Sequence, residues 1–360
     1  MFDTKKGIFV LLLSLFVVSA SFQVLAVQDS LSMIATMDSR IELLYIIDAT
    51  ANASSWHNCQ LMNTVYNQQV IKHFTSFREH EAIRYFKANI EDKFDFFLLE
   101  KAFLYLPSSL SQDEFHIPEE WPIELGLFVQ KALVFYQDSA FQAFMLRQAS
   151  IIREIERTYQ AILNRQNWQD TYFNWFSASL SHFSVILSPL KRSSHQGYLI
   201  STTETSQQYA LILGLTAINN GFLVFAPSRD LQQLVLQKTS KDLILNDMKK
   251  YPEKLGSIEE RMLVHEKTWK DLGFANSTDF IAHQMALCIY WKFLDELNQA
   301  ESSVQFLQEA EEEGYFLMKF NWASLQDFSQ RSELKFWKDY TSLWMDQLSQ
   351  ELSMLQAQKI

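Results

Sequence analysis

His182-Phe-Ser-Val-Ile-Leu-Ser-Pro-Leu190 is the first of three short apolar runs that decide the fold of this chain. After a polar crossing through Gly197 come Gln208-Tyr-Ala-Leu-Ile-Leu-Gly214 and then Asn220-Gly-Phe-Leu-Val-Phe-Ala-Pro227. Runs rich in Val, Ile, Leu and Phe that are bounded by Gly, Pro, Asn and Ser are typical of β-strands. The sequence therefore predicts a small sheet, followed by an amphipathic helix over Asp230–Asp247.

Outside these runs, apolar residues recur at helical spacing, and the stripe of Leu and Trp residues in Glu333–Gln356 is the plainest case. Ser257-Ile-Glu-Glu260 resembles a capping box that would begin a helix. Further helices are predicted over Ser30–Ala49, Val65–Phe77, Glu79–Phe86, Phe94–Leu106, Ile123–Gln137, Phe141–Leu163, Trp168–Leu180, Ser277–Ala310 and Tyr315–Phe328. The expected fold class is mostly α with a small central β-sheet (α+β).

The N-terminus has the pattern of an export signal. Lys5 and Lys6 precede an apolar run over 7–20, and Val24 and Ala26 supply the small residues of a cleavage site. The run is shorter than the ~20 apolar residues that a membrane span needs. We expect a signal peptide over 1–26 and a periplasmic or secreted protein, with an uncleaved membrane anchor as the alternative. We expect helical residues 27–181 to form one continuous domain with the sheet and helices of 182–360.

The composition disfavours two classes of partner. The chain carries a formal net charge of −11 and has no basic cluster, so nucleic acid is not an expected ligand. No later segment is long and apolar enough for an integral membrane span. A peptide or protein partner remains the expectation, and no cofactor is predicted, because a chain with eight glycines shows no Gly-rich phosphate loop.

Nucleophile and metal motifs are incomplete. There is no Gly-x-Ser-x-Gly elbow. Cys59 and Cys288 are candidates for a disulfide in an exported protein, and two separate buried thiols are the alternative. His265-Glu266 begins like a zincin motif, but Trp269 stands where the second histidine must be. Single, satisfied histidines are the simpler interpretation.

The order of features resembles an exported bacterial domain family of unknown function that is regarded as zinc-metallopeptidase-like, because many members carry His-Glu-x-x-His. The resemblance is carried by four segments, which are Phe74-Thr-Ser-Phe-Arg-Glu-His-Glu-Ala-Ile83, Phe183-Ser-Val-Ile-Leu-Ser-Pro-Leu190, Gly221-Phe-Leu-Val-Phe225 and Glu313-Gly-Tyr-Phe316. In that family the helix after the second sheet segment holds the zinc motif. The resemblance implies that Leu236 and Ser240 stand in place of the histidines and Gln237 in place of the glutamate.

Leu cannot ligate zinc, and Gln cannot act as the general base that activates a metal-bound water. The expected function is therefore that of a metallopeptidase-like protein without catalytic activity, which binds a peptide or protein partner. One alternative is an active hydrolase with a rearranged metal site built from His265, Glu266 and His283 together with His182 or His195. The other is a structural or interaction protein.

Overall fold

The computed structural model of the protein describes residues 33–52, 64–164, 180–192, 194–201, 207–219, 222–226, 228–296, 303–334 and 336–357. Within these ranges the chain is mostly helical around a small mixed sheet of four strands, as predicted. The predicted signal segment over 1–26 and the predicted helix over 168–180, apart from Leu180, lie outside the described residues. None of the helices in the described part is long and apolar enough to cross a membrane.

The central sheet has the order β1-β2-β4-β3, with β1 and β4 parallel to β2 and with β3 antiparallel to β4. Its strands are β1 (Met33–Thr36), β2 (Leu180–Ser188), β3 (His195–Ser201) and β4 (Gln207–Gly214). Two of these strands correct the sequence prediction. The predicted helix over Ser30–Ala49 begins only at Ser39, because residues 33–36 pair with β2, and the crossing through Gly197 is the edge strand β3.

The third predicted strand does not join the central sheet. Residues 217–224 instead give a separate hairpin of β5 (Ala217–Asn219) and β6 (Phe222–Val224). In the sequence, an Asn-Gly dipeptide between two apolar runs favours a hairpin over a single strand.

The helices are named in chain order. They are α1 (Ser39–Ala51), α2 (Val65–Phe74), α3 (Glu81–Asn89), α4 (Phe96–Leu104), α5 (Ile123–Asp138), α6 (Phe141–Arg147), α7 (Ala149–Leu163), α8 (Ser228–Met248), α9 (Pro252–Met262), α10 (Glu266–Asp271), α11 (Ser277–Glu296), α12 (Ser303–Glu312), α13 (Met318–Gln330) and α14 (Trp337–Ala357). The predicted capping box at Ser257 is wrong, because α9 begins earlier, at Pro252. Proline suits the first position of a helix, where its missing N–H costs nothing.

Helices cover the two faces of the sheet unequally. Asp242 of α8 lies over Gly197 and Tyr209, so α8 packs on the face to which Tyr209 belongs. On the opposite face, Phe97 of α4 stacks on Tyr198 of β3 with ring centroids 4.9 Å apart. Ile34, which the β1 and β2 registers place on this second face, is 40% exposed. The second face is therefore open near the beginning of the parallel strands.

Side chains of α7 close the β1 edge of the sheet. The Gln160 amide accepts the Ala35 N–H (2.8 Å) and donates to the Met33 carbonyl (2.9 Å). Glu156 accepts from the Met37 N–H at 2.9 Å. Two side chains thus take the place of a further strand along this edge, which would otherwise present unpaired backbone groups.

Candidate functional site

The open face of the sheet carries a groove of ≈ 470 Å³. Its floor combines apolar Ile34 and Ile200 with the polar side chains of His182, Ser184 and Gln208. Because these residues come from all four strands, and strands lie about 4.8 Å apart, the groove is about 14 Å long. We call this cavity the sheet groove.

One end of the sheet groove is fixed by an arginine whose donors are already used. Arg40 forms a bidentate pair with Asp38, the closer contact being 2.6 Å, and donates to the carbonyls of Leu104 and Leu106 at 2.8 and 3.0 Å. A guanidinium with these partners orients the end of α4 and is not a free anion site. The groove therefore offers hydrogen-bonding groups beside apolar surface.

The structure places His182 and His195 apart. His182 pairs in register with Gln208 and His195 with Leu213, so they project from opposite faces and lie five residues apart along β4. Five residues of a strand span roughly 16 Å. Of the two, only His182 lines the sheet groove.

His265 and His283 belong to one aromatic cluster, and both are far from His182 in the sequence. His265 is buried and stacks on Phe316, with ring centroids 4.3 Å apart. His283 lies 5.7 Å from the Tyr315 ring, and Phe280 contacts both Tyr315 and Phe316. The Glu313-Gly-Tyr-Phe316 segment thus supplies packing surface for two histidines.

Glu266 points away from these histidines, because it is exposed and pairs with Lys270 at 2.5 Å. Burial, and after it the positive charge of Lys241, lowers the pKa of His283 to about 4, so this imidazole is neutral at pH 7. The residues of the rearranged hydrolase site are therefore divided among a packed aromatic cluster, the protein surface and the two faces of the sheet. In the described part of the chain, no three His, Cys, Asp or Glu side chains come together as metal ligands would.

The positions that the resemblance assigns to a zinc motif lie within α8. Leu236 and Ser240 are fully buried, and Leu236 belongs to the hydrophobic core. A leucine, a serine and a glutamine do not provide the imidazole ligands that zinc requires, so these three side chains do not fit a zinc ion.

A buried charge cluster lies where β2 ends. The Lys191 ammonium donates to Glu100 Oε1 (2.6 Å) and to the Tyr45 hydroxyl (3.0 Å), and Tyr45 in turn donates to Glu100 Oε1 (2.5 Å). The Tyr198 hydroxyl donates to Glu100 Oε2. Burial, and next the Glu100 charge, raises the pKa of Tyr198, which keeps this phenol protonated.

A second carboxyl, that of Glu42 in α1, is also fully buried but has no ammonium partner in the described structure. The Tyr66 hydroxyl donates to its Oε2 at 2.7 Å. Burial raises the pKa of Glu42 to about 7, although the hydroxyls of Ser188 and Tyr66 act in the opposite direction. Glu42 therefore holds its proton to a higher pH than an exposed carboxyl does.

Glu42, Glu100 and Lys191 are not among the functional candidates that the sequence predicts. A usable signal was present for Lys191, because polar residues directly after a buried parallel strand gather at the carboxyl edge of the sheet. Cys288, which was identified, is a fully buried free thiol whose pKa is raised by burial, and its Sγ–H donates to the Met318 carbonyl. Its predicted partner Cys59 lies outside the described residues.

Comparisons of this chain with protein-family models, with curated proteins and with solved structures find no match.

Proposed function

We propose that this chain is an exported peptide-binding protein on a metallopeptidase-like scaffold, and that it has no peptidase activity of its own. The observation that carries the proposal is the sheet groove, in which His182, Ser184 and Gln208 stand beside Ile34 and Ile200. A concave surface with a few convergent polar groups among apolar ones is what a ligand site requires.

The dimensions and the charge of the sheet groove favour a short extended peptide. A length of about 14 Å accommodates about four extended residues at ~3.3 Å each. The carboxylate and guanidinium at its end, Asp38 and Arg40, already neutralise each other. We therefore expect neutral peptide side chains in the groove, with apolar groups on Ile34 and Ile200 and amide or hydroxyl groups on His182 and Gln208.

The absence of peptidase activity is proposed from the chemistry of α8. Gln237 in place of a glutamate cannot deprotonate a water, and the buried Leu236 cannot hold a metal that would activate one. The open groove and these inert positions lie on opposite faces of the sheet, because α8 packs on the Tyr209 face. Binding in the groove therefore does not depend on the positions of the lost motif.

The test is selection from a randomised heptapeptide library, followed by fluorescence anisotropy with the selected peptides. We expect Ser184→Phe, which fills the groove, to weaken binding by at least about tenfold. Ser329→Phe, on an exposed position of α13, is the matched control and should bind as the parent does. Equal binding by both variants would reject the groove as the site.

A mass-spectrometric assay tests the inactivity on the same peptides. After incubation with the protein and added zinc, we expect every peptide to stay intact. Stoichiometric zinc in the purified protein together with cleavage that a chelator abolishes would overturn the proposal.

A further inference from the structure

The N-terminal helices carry a second cavity, of ≈ 550 Å³, along the outer side of α5. Its apolar lining includes Phe115, Leu127 and Val134. The Gln112 amide donates to the Gln130 carbonyl at 3.5 Å and so brings the 112–115 turn against the helix. We call this cavity the α5 groove.

The apolar residues of the α5 groove continue a stripe along the helix. Ile123, Leu127 and Val134 are 78%, 40% and 38% exposed, and Gln130 falls on the same face. Their spacing of four, three and four residues keeps them on one side of an α-helix. From Ile123 to Val134 the stripe is about 17 Å long, which matches three turns of a partner helix.

The segment that runs along one side of the α5 groove, residues 111–138, is acidic, and we call it the rim. Residues 111–138 contain a single lysine or arginine, Lys131, against six acidic residues, which are Asp113, Glu114, Glu119, Glu120, Glu124 and Asp138. Lys131 is already paired with Glu81, whose side chain is 67% exposed. Across the groove, His80 contacts Asp138 at 3.2 Å, and 58% of the Asp138 side chain remains exposed.

His80 is held in place by two contacts. Its Nδ1 accepts the Ala82 N–H at 3.1 Å at the start of α3, which leaves Nε2–H to donate to Asp138. A neutral imidazole makes both contacts. The α5 groove thus combines an apolar floor with an acidic segment along one side, and Arg84 lies near Glu81 on the α3 side.

We propose that the α5 groove docks a basic amphipathic helix of a partner protein. Leucine-like side chains at positions i, i+4 and i+7 would cover Leu127 and Val134, and flanking lysines or arginines would meet the acidic rim. This is the helix-in-groove mode of recognition, in which the apolar face gives affinity and the charges give orientation. An anionic lipid surface would be repelled by the rim, and so would a second copy of this acidic chain.

The probe is a fluorescein-labelled 14-residue helical peptide with leucines spaced four, three and four residues apart and with lysines beside them. One control peptide has the same composition with the leucine positions scrambled, and a second has glutamate in place of lysine. We expect the probe to bind at least about tenfold more tightly than either control, and we expect its affinity to fall with added salt.

Variants of the protein locate the site. Leu127→Asp and Val134→Asp should each weaken binding by at least about tenfold, and Glu120→Lys with Glu124→Lys by about threefold with a smaller salt dependence. The matched control is Leu263→Asp, because Leu263 is 61% exposed and lies outside the groove. Circular dichroism and thermal melting confirm that each variant is folded.

Several outcomes would overturn the inference. They are equal affinity for the scrambled peptide, unchanged binding by both aspartate variants, and no binding up to about 100 µM. Self-association, or binding to phosphatidylserine vesicles, that Leu127→Asp abolishes would assign the groove to another occupant. Ser184→Phe should leave binding of the probe unchanged, so a failure here is distinguishable from a failure of the sheet groove.

Discussion

Glu42 and Glu100 are two fully buried carboxyl groups with different hydrogen-bond partners. Glu100 accepts from the Lys191 ammonium and from two tyrosine hydroxyls, so its charge is matched by a cation within the same cluster. Glu42 accepts one tyrosine hydroxyl, and burial raises its pKa to about 7. One buried carboxyl is thus paired with an ammonium, and the other has no such partner and binds a proton more readily than an exposed carboxyl does.

The largest effect should come from removing the anion at the compensated site. Glu100→Leu leaves the Lys191 ammonium buried without its counter-ion, and we expect the free energy of unfolding to fall by roughly 3–5 kcal/mol. Urea denaturation measures this change. The double variant with Lys191→Met should regain most of the loss, since methionine replaces the lysine stem with no charge. No recovery in the double variant would contradict the account.

Glu42→Gln should change the pH dependence of stability. The folded-state pKa of Glu42, about 7, lies above the ordinary 4.5, so the folded protein holds a proton that the unfolded chain releases. This contribution is full below pH 4.5 and is lost as the pH rises through 7. Relative to the parent, Glu42→Gln should therefore gain about 3 kcal/mol between pH 4.5 and 7.5.

Urea denaturation at several pH values checks this gain. Glutamine can still accept from the Tyr66 hydroxyl, so the change removes mainly the ionisation. Glu100→Gln is the matched control, because it removes an anion beside Lys191 and should destabilise the protein at every pH. Parallel pH profiles for Glu42→Gln and the parent would show that Glu42 ionises normally in the folded protein.

The sequence predicted the parts of the fold that depend on local pattern. β2 and β4 each contain an apolar run, over 185–187 and 209–213, and the helices repeat apolar residues over several turns. β1 has four residues, too few to show a period, and it is a strand only because it pairs with β2, which lies far along the chain. β3 contains glycine and polar residues, and its pairing with β4 outweighs that weak propensity.

Of the candidate site, the sequence identified His182 but not its surroundings. The sheet groove needs the strand order, which brings Ile34 and Ile200 to either side of β2 and β4. The low pKa of His283 and the high pKa of Glu42 depend on burial, which no local pattern specifies. The registers of β2 and β3 on β4 place His182 and His195 on opposite faces of the sheet. A shift of one residue in the register of either strand would move its histidine to the other face.

A third carboxyl, that of Asp242, combines features of Glu42 and Glu100. Burial raises its pKa, while Lys238, at 3.7 Å, and the Tyr209 hydroxyl, at 2.6 Å, lower it. A Cβ at Gly197 would overlap both the Tyr209 hydroxyl and the Asp242 carboxylate. We expect Gly197→Ala to separate this pair and to cost about 1–3 kcal/mol.

Thermal and urea unfolding measure the effect of Gly197→Ala. The matched control is Gly256→Ala in α9, where an added Cβ meets no atom within 4 Å. In a helix this control should stabilise the protein by up to about 1 kcal/mol, because alanine has the higher helix propensity. A neutral Gly197→Ala variant would show that the Tyr209–Asp242 contact can move without loss.

The smallest expected effects compare one hydroxyl at each of the first two carboxyls. Tyr66→Phe removes the only phenol that donates to Glu42 in the described structure, and Tyr45→Phe removes one of two that donate to Glu100. Each should cost about 1 kcal/mol at pH 8.

Because the Tyr66 hydroxyl lowers the pKa of Glu42, its loss raises that pKa further, so the cost of Tyr66→Phe should shrink as the pH falls below 7. Tyr45→Phe should cost about the same at both pH values, since the contact between Lys191 and Glu100 remains. Urea unfolding of both variants at pH 5 and pH 8 makes the comparison, and equal pH profiles would contradict the raised pKa of Glu42.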